Sequence, residues 1–274
     1  MNNTELIYNK LLAGIQKFFT ASKVKKATLG LSGGLDSAVV LPLAVDALGK
    51  ENVRVLLMPS QYSTDHSVSD AIRLAENLEV QYDIIKIEPI YKAFEDALAG
   101  IFIGTQPDVT EENLQARIRS VLLMGLSNKF GHFLLNTSNK SELAMGYGTL
   151  YGDLSGALCV LGDVYKIQVY DLAHYINRNK EIIPHHIITK APSAELRDDQ
   201  KDSDSLPPYS ELDPILMRFI EEKMTAEQII AAGYKIEYVE QIEKAMQRNN
   251  FKAYQIPQLI KVTDNALVPE WKLV

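Results

Sequence analysis

The sequence of 274 residues contains one cysteine, Cys159, and one tryptophan. A single cysteine cannot form an internal disulfide, and it has no second thiolate with which to build a structural zinc site. No histidine pattern typical of zinc accompanies it. We therefore expect Cys159 to be a buried apolar residue in a protein of a reducing compartment.

Long apolar runs are also missing, so the sequence predicts no membrane span. The N-terminus lacks the basic start and apolar run of a signal peptide, which favours a cytoplasmic location. Lys and Arg number 28 against 35 Asp and Glu, for a net charge of −7. This balance disfavours nucleic-acid binding, which depends on neutralising phosphates, but it allows a small anionic ligand.

Short apolar strands alternate with helical periodicity in the first half of the chain, and this pattern predicts an α/β fold. We expect a doubly wound, mostly parallel five-stranded sheet with helices on both faces, in a single domain. Residues 1–190 would form the nucleotide-binding core, 191–210 a flexible loop and 211–274 a small helical C-terminal part. Four of the strands are predicted at 27–31, 52–58, 83–87 and 132–136, and the helices at 5–19, 38–48, 65–78, 91–101, 111–129, 214–222, 225–232 and 236–249.

The first strand runs into Gly30-Leu-Ser-Gly-Gly-Leu-Asp-Ser-Ala38, just before a helix. Glycines allow a tight turn, and the serine hydroxyls and the helix N-terminus would add donors for an anion. Asp36 would repel that anion unless a cation such as Mg²⁺ lay between them. The string therefore predicts a phosphate cradle with a magnesium ligand, although a plain glycine-rich turn with a helix cap is the simpler alternative.

This string has no P-loop lysine, and it resembles the pyrophosphate-binding loop of the adenylating ATP pyrophosphatases, which include NAD, GMP, asparagine and argininosuccinate synthetases. The resemblance implies an adenine nucleotide alpha hydrolase-like fold and cleavage of ATP between its α- and β-phosphates. It also implies that the cradle binds ATP through Gly30, Leu31, Ser32, Gly33, Gly34, Leu35, Asp36 and Ser37.

Two later strings narrow the resemblance to NAD synthetases. In Glu112-Asn-Leu-Gln-Ala-Arg-Ile-Arg119, Asn113 and Arg117 share one helical face, and the resemblance implies that Arg117 binds deamido-NAD. Composition alone would favour a solvated face. In Asn136-Thr-Ser-Asn-Lys-Ser-Glu142, the resemblance implies that Thr137 binds ATP and that Glu142 binds the metal. Glu142 could equally be the early acid of a helix cap.

Strings further along resemble the same family, especially the synthetase part of many bacterial glutamine-dependent enzymes. The resemblance implies that Lys166 binds the ATP phosphates and takes part in catalysis with Asp36 and Glu142. Asp153 lies in a glycine- and tyrosine-rich string and is expected to contact the substrate. In some ammonia-dependent members a lysine and an aspartate contact deamido-NAD, and this chain departs from that pattern with Leu150 and Ala157 at the two positions.

The C-terminal third contains the polar stretch 197–205, whose acidic residues we expect to be mostly solvated. The resemblance makes this loop a cover for the site and places Ser193 at ATP. It also implies substrate contacts by Phe251 and Lys252. Such a cover is physically reasonable, because a mixed anhydride must be kept from water.

These features together predict an NAD synthetase that uses ATP, Mg²⁺, deamido-NAD and ammonia. Glutamine-dependent members carry an additional N-terminal nitrilase-like domain, whereas this chain begins within one short helix of its first strand. The resemblance therefore implies ammonia as the direct nitrogen donor, although a separate glutaminase partner is possible. Family members are homodimers, so a dimer is expected. The alternatives are a GMP synthetase-like or tRNA-thiolating enzyme with the same loop, and a nucleotide-binding regulatory module without turnover.

Overall fold

Six parallel strands form the central sheet, and the computed structural model describes residues 3–267. The strand order is β3-β2-β1-β4-β5-β6. The predicted α/β class and the parallel sheet are confirmed, but the expected five strands are one too few. The last two strands have only two residues each, too few for any periodicity to be visible. The bounds are β1 Ala27–Gly30, β2 Val53–Leu57, β3 Gln81–Ile84, β4 Phe133–Asn136, β5 Leu158–Cys159 and β6 Gln258–Leu259.

Helices connect these strands and cover both faces of the sheet. The first eight are α1 Asn3–Ser22, α2 Leu35–Leu48, α3 Asp65–Asn77, α4 Glu88–Leu98, α5 Val109–Phe130, α6 Lys140–Met145, α7 Lys166–Ile176 and α8 His185–Thr189. After a 3-10 turn at 202–204 come α9 Tyr209–Ile220, α10 Ala226–Ala231 and α11 Ile236–Asn249. Among residues 3–267, no helix has the length and apolarity needed to cross a bilayer.

Strand β2 shows how the two faces divide. Val55 and Leu57 pack in one apolar cluster with residues of α1, α2 and α7, whereas Leu56 packs in another with Tyr91 of α4 and Ile118 of α5. Successive side chains of a strand point to opposite faces, so the two clusters lie on opposite sides of the sheet. Cys159 is fully buried, as predicted.

Helix α5 begins two residues earlier than predicted, and its N-cap is Asp108. Asp108 accepts a hydrogen bond from Thr110 N at 2.7 Å, while Asp108 N donates one to Glu111 Oε2 at 2.7 Å. This capping box satisfies backbone donors that the helix itself leaves free. Gly131 ends the helix in the left-handed conformation, at φ 66°.

A third apolar cluster joins helices α9, α10 and α11 to α6, through buried residues such as Leu212 and Ile242. Beside it lies the fully buried Lys140, the first residue of α6. Its ammonium is 2.7 Å from Asp163 Oδ1, 2.6 Å from Glu221 Oε1 and 3.0 Å from Thr263 Oγ1. One buried cation therefore ties α6 to the loop before α7, to the end of α9 and to the C-terminal segment.

Replacing Lys140 with Met should lower the free energy of unfolding by about 3 kcal/mol, because it leaves the Asp163 carboxylate buried without its cation. Urea unfolding monitored by circular dichroism measures the change. Lys92→Met is the matched control, since Lys92 pairs with Asp96 on the exposed surface of α4 and should leave the stability essentially unchanged. Equal, small effects of the two substitutions would contradict a role for the buried pair.

Candidate functional site

A cavity of about 850 Å³ opens beyond the carboxyl ends of β1, β2 and β4. This is where ligands bind in parallel α/β sheets, since the strand order reverses there. Its wall includes the loop after β1, Met58 after β2, and Thr137 after β4. Residues of α5, α11 and the segment 192–206 complete the wall.

The loop after β1 turns tightly onto α3. Gly33 has φ +77°, and a Cβ atom there would collide with the Ser67 carbonyl of α3. Only glycine therefore fits the turn. The hydroxyl of Ser37 accepts from Ser32 N at 3.3 Å and donates to Gly34 O at 3.1 Å.

Helix α2 starts directly at this turn, and its N-cap Gly34 supplies no side-chain hydrogen bond. The first residues of the helix, Leu35, Asp36 and Ser37, line the cavity. The N-terminal donors of the helix are thus directed at the cavity, which is the arrangement that binds phosphate groups.

An acidic pair faces this cradle across a single ammonium group. Lys166, the first residue of α7, places Nζ 2.5 Å from Asp36 Oδ2 and 3.3 Å from Glu142 Oε1. Asn139 holds the pair in register, since its Nδ2 donates to Asp36 Oδ1 at 2.8 Å and its side chain forms a capping box with Glu142. Glu142 therefore is a cap residue of α6 and faces Lys166 as well.

The electrostatics of this cluster are strongly coupled. Burial, together with the neighbouring Asp36 charge, raises the pKa of Glu142 to about 8, and Lys166 opposes the rise. Burial lowers the pKa of Lys166, but Asp36 and Glu142 outweigh burial and hold that pKa above its ordinary value. Lys166 consequently stays charged between the two acidic side chains.

A third carboxylate, Asp202, closes over the cluster from the segment predicted to be a solvated loop. For this residue the prediction is wrong, because Asp202 is only 6% exposed. It accepts hydrogen bonds from Tyr209 at 2.9 Å and Tyr147 at 3.5 Å, and burial raises its pKa. A polar stretch has no periodicity that could single out its two buried members, Gln200 and Asp202.

The same segment is held against α5 by charged contacts. Arg197 Nε lies 3.2 Å from Glu112 Oε1, and Arg197 Nη2 lies 2.7 Å from Asp204 Oδ2. Gln200 Nε2 donates to Glu112 Oε2 at 3.1 Å. In this structure the segment therefore covers one side of the cavity.

Most residues predicted for the site lie together on the cavity wall. These are Gly30, Leu31, Ser32, Gly34, Leu35, Asp36, Ser37, Asn113, Thr137, Glu142, Asp153, Lys166, Ser193 and Lys252. Gly33 packs behind the cradle instead, and Phe251 is 54% exposed outside the cavity. Arg117 is also outside, where its Nε donates to Leu150 O at 3.2 Å.

The two residues that depart from the family pattern make hydrogen bonds through their backbone atoms in this structure. Leu150 offers its carbonyl to Arg117, and Ala157 N donates to Leu134 O at 2.7 Å beside the sheet. Lys252 approaches from the C-terminal side, where Nζ donates to Gly146 O at 2.7 Å and to Gly148 O at 2.8 Å.

Arg119, the arginine of α5 that does line the cavity, is not among the residues predicted for the site. Ala116, Arg119, Ser120 and Leu123 follow one helical stripe, and all four border the cavity. That stripe of small and apolar residues was the available signal. The spacing of Asn113 and Arg117 does not separate them, yet Asn113 lines the cavity and Arg117 does not.

Comparison with known proteins agrees with this geometry. The NAD synthase family model matches residues 7–256. A glutamine-dependent NAD(+) synthetase of Synechocystis sp. is 48% identical over 273 residues, which are 100% of this chain and 49% of that protein. The chain thus spans about half the length of the curated relatives it matches.

Two solved structures match over nearly their whole length. An NH3-dependent NAD synthetase from Campylobacter jejuni is 32% identical with a TM-score of 0.75, and the match covers 95% of this chain and 100% of that one. An NMN synthetase from Francisella tularensis is 28% identical with a TM-score of 0.78, over 91% and 95% of the two chains. Because the family model matches most of this chain, the chain belongs to the NAD synthase family.

Proposed function

We propose that this chain is an NAD synthetase that amidates the nicotinate carboxylate of deamido-NAD with ammonia, at the expense of ATP. The observation that carries the proposal is the meeting of a helix-terminal cradle with two carboxylates, Asp36 and Glu142, in one cavity. A cradle alone fits many phosphate ligands. A cradle with paired acids fits a phosphate ligand that arrives with a metal ion.

Magnesium suits the donor set at this position. Asp36 and Glu142 converge on one ammonium, so the same oxygens form a place for a cation, and Mg²⁺ characteristically combines a few carboxylates with phosphate oxygens. These two residues would hold it, and when bound it would neutralise negative charge on the phosphates. Lys166 is charged and adjacent, so it can donate to phosphate oxygens from the same side.

The chemistry then takes two steps. A carboxylate oxygen of deamido-NAD attacks the α-phosphorus of ATP, the bond to the β-phosphate oxygen breaks, and pyrophosphate leaves into the cradle. Ammonia attacks the carbonyl carbon of the adenylate, loses a proton, and AMP departs with the electron pair of the C–O bond. The chain contributes donors, positioning and exclusion of water, and no side chain forms a covalent bond.

Substrate contacts are proposed for Asn113, Arg117, Asp153, Phe251 and Lys252, with Thr137 and Ser193 at ATP. Asn113 accepts from Thr149 Oγ1 at 2.6 Å, and Asp153 accepts from Thr149 N at 2.7 Å, so one loop fixes both. The segment carrying Asp202 would shield the adenylate from hydrolysis.

The names of two similar proteins indicate two different nitrogen sources. The Synechocystis relative is named glutamine-dependent, and the Campylobacter protein is named NH3-dependent. We propose that free ammonia is the immediate nucleophile in the reaction of this chain, whether it arrives directly or from a glutaminase.

Purified protein incubated with ATP, Mg²⁺, deamido-NAD and ammonium should form NAD, AMP and pyrophosphate in equal amounts. Asp36→Asn should lower turnover by at least about 100-fold, because it removes one of the two proposed metal ligands, while the folded state persists. Chromatography of the nucleotides measures the products, and circular dichroism checks the fold.

Control reactions separate the rivals. Glutamine in place of ammonium should give no product from this chain. Preferred turnover of nicotinic acid mononucleotide would reassign the substrate to that of the NMN synthetase it resembles. Release of ADP, or turnover independent of either deamido-nucleotide, would sink the proposal.

We also propose that two copies pair through α5. This helix exposes Val121 (69%) and Met124 (37%), and Arg117, on the same helix, lies outside the cavity of its own chain. Arg117 can contact substrate only if the cavity of a second copy lies against it. A dimer would therefore cover the apolar face and complete the site.

Sedimentation should give a dimer, and a Val121→Lys, Met124→Lys double variant should be a monomer with strongly reduced turnover, because charge on the covered face opposes pairing. Ile103→Lys, at an exposed position before α5, is the control and should remain dimeric. A monomeric wild-type protein with full activity would contradict this arrangement.

A further inference from the structure

Arg119 occupies an unusual position on the cavity wall. Its Nε donates to Met58 O at 3.1 Å, which fixes the side chain at the end of β2. The neighbouring wall is formed by Gly30 and Leu123. Within residues 3–267, no other hydrogen bond is made by this guanidinium, so its terminal Nη groups keep their donors for a ligand.

The charge of Arg119 has no counter-ion within ion-pair distance in the described part of the chain. Burial lowers its pKa to about 10, and the carboxylates of Glu195 and Asp153 oppose this from longer range. A pKa of about 10 still leaves the group charged at neutral pH. The protein therefore holds an unpaired cation in a partly desolvated place, which is unfavourable for stability by itself.

Several other arginines of the chain make ion pairs with carboxylates. Arg54 pairs with Asp83 at 2.6 Å, Arg73 with Glu181 at 2.7 Å, and Arg197 with Glu112 and Asp204. Those pairs are at or near the surface. Arg117, Arg178 and Arg248 also lack an ion pair within residues 3–267, but Arg117 lies outside the cavity and the other two are exposed. Arg119 differs from them because its unpaired guanidinium is partly buried on the cavity wall.

We propose that Arg119 is a binding residue of the reaction, and that its Nη donors hold an anionic oxygen of the reacting groups. This inference rests on the proposed function and deepens it. The anion is a phosphate oxygen of the nucleotide or the nicotinate carboxylate, since both present the oxygens that a guanidinium fork binds. The cradle and Lys166 would bind the departing pyrophosphate. Arg119 would bind the remaining phosphate of the nucleotide or the nicotinate carboxylate.

Such a role explains why the position holds arginine. The Nε contact with Met58 O orients the fork before the ligand arrives, so little freedom is lost on binding. Lysine would supply the charge without the fixed pair of donors.

The test compares Arg119→Met and Arg119→Lys with Arg73→Met, a surface control outside the cavity. Each protein is first melted without ligand. If Arg119 serves a ligand, Arg119→Met should unfold at the same temperature as wild type or a higher one, because an unpaired buried charge is removed. If its contact with Met58 O were structural, the melting temperature would fall, and that result would overturn the inference.

Binding is then measured by calorimetry without turnover, using a non-hydrolysable ATP analogue with Mg²⁺ in one arm and deamido-NAD in the other. Arg119→Met should weaken one ligand by about 100-fold, Arg119→Lys should weaken the same ligand less, and Arg73→Met should bind both as wild type does. Loss in the ATP arm identifies a phosphate oxygen, and loss in the deamido-NAD arm identifies the carboxylate.

Unchanged affinity of Arg119→Met for both ligands would overturn the inference. These measurements are independent of NAD formation. A wild-type protein that binds both ligands but makes no NAD would refute the proposed function while leaving the Arg119 test decisive.

Discussion

The ammonium of Lys166 between Asp36 and Glu142 is the interaction on which the site depends. The two carboxylates come from α2 and α6, the helices that follow the neighbouring strands β1 and β4. Parallel strands bring their following loops to one edge, so the fold forces two acids together. Burial and the neighbouring Asp36 charge both raise the pKa of Glu142, and the ammonium of Lys166 opposes that rise.

Arg119 presents the opposite problem on another part of the same wall. At Lys166 two acidic side chains share one ammonium, whereas the guanidinium of Arg119 has no carboxylate within ion-pair distance among the described residues. A ligand that brings both a metal ion and several anionic oxygens would supply a cation for the two acids and an anion for Arg119. ATP with magnesium and a carboxylate substrate has this composition, which is why the electrostatics of the wall and the proposed reaction support each other.

Much of this arrangement could be predicted from the sequence, because strong local patterns encode it. The string around Asp36 combines a strand end, a turn that requires Gly33 and a helix start, and each part has its own signal. The two-residue strands β5 and β6 have none, since their pairing is decided by distant contacts. Asp202 was missed because burial of a polar loop residue depends on Tyr147 and Tyr209, which lie elsewhere in the chain.

The case of Arg117 and Arg119 shows the same limit within one helix. Spacing identifies which residues share a face, but it does not say which face meets the cavity. The apolar stripe that includes Ala116 and Leu123 decides that question, and it favours Arg119. Arg117 keeps a role only through an assembly that a single chain does not display.

The proposed reaction requires the substrate carboxylate to attack the α-phosphorus of ATP. Deamido-NAD labelled with ¹⁸O in its nicotinate carboxylate tests this directly by mass spectrometry of the nucleotide product. AMP should carry one labelled oxygen, because the C–O bond is broken when ammonia displaces AMP. Unlabelled AMP, or label recovered in inorganic phosphate alongside ADP, would contradict it.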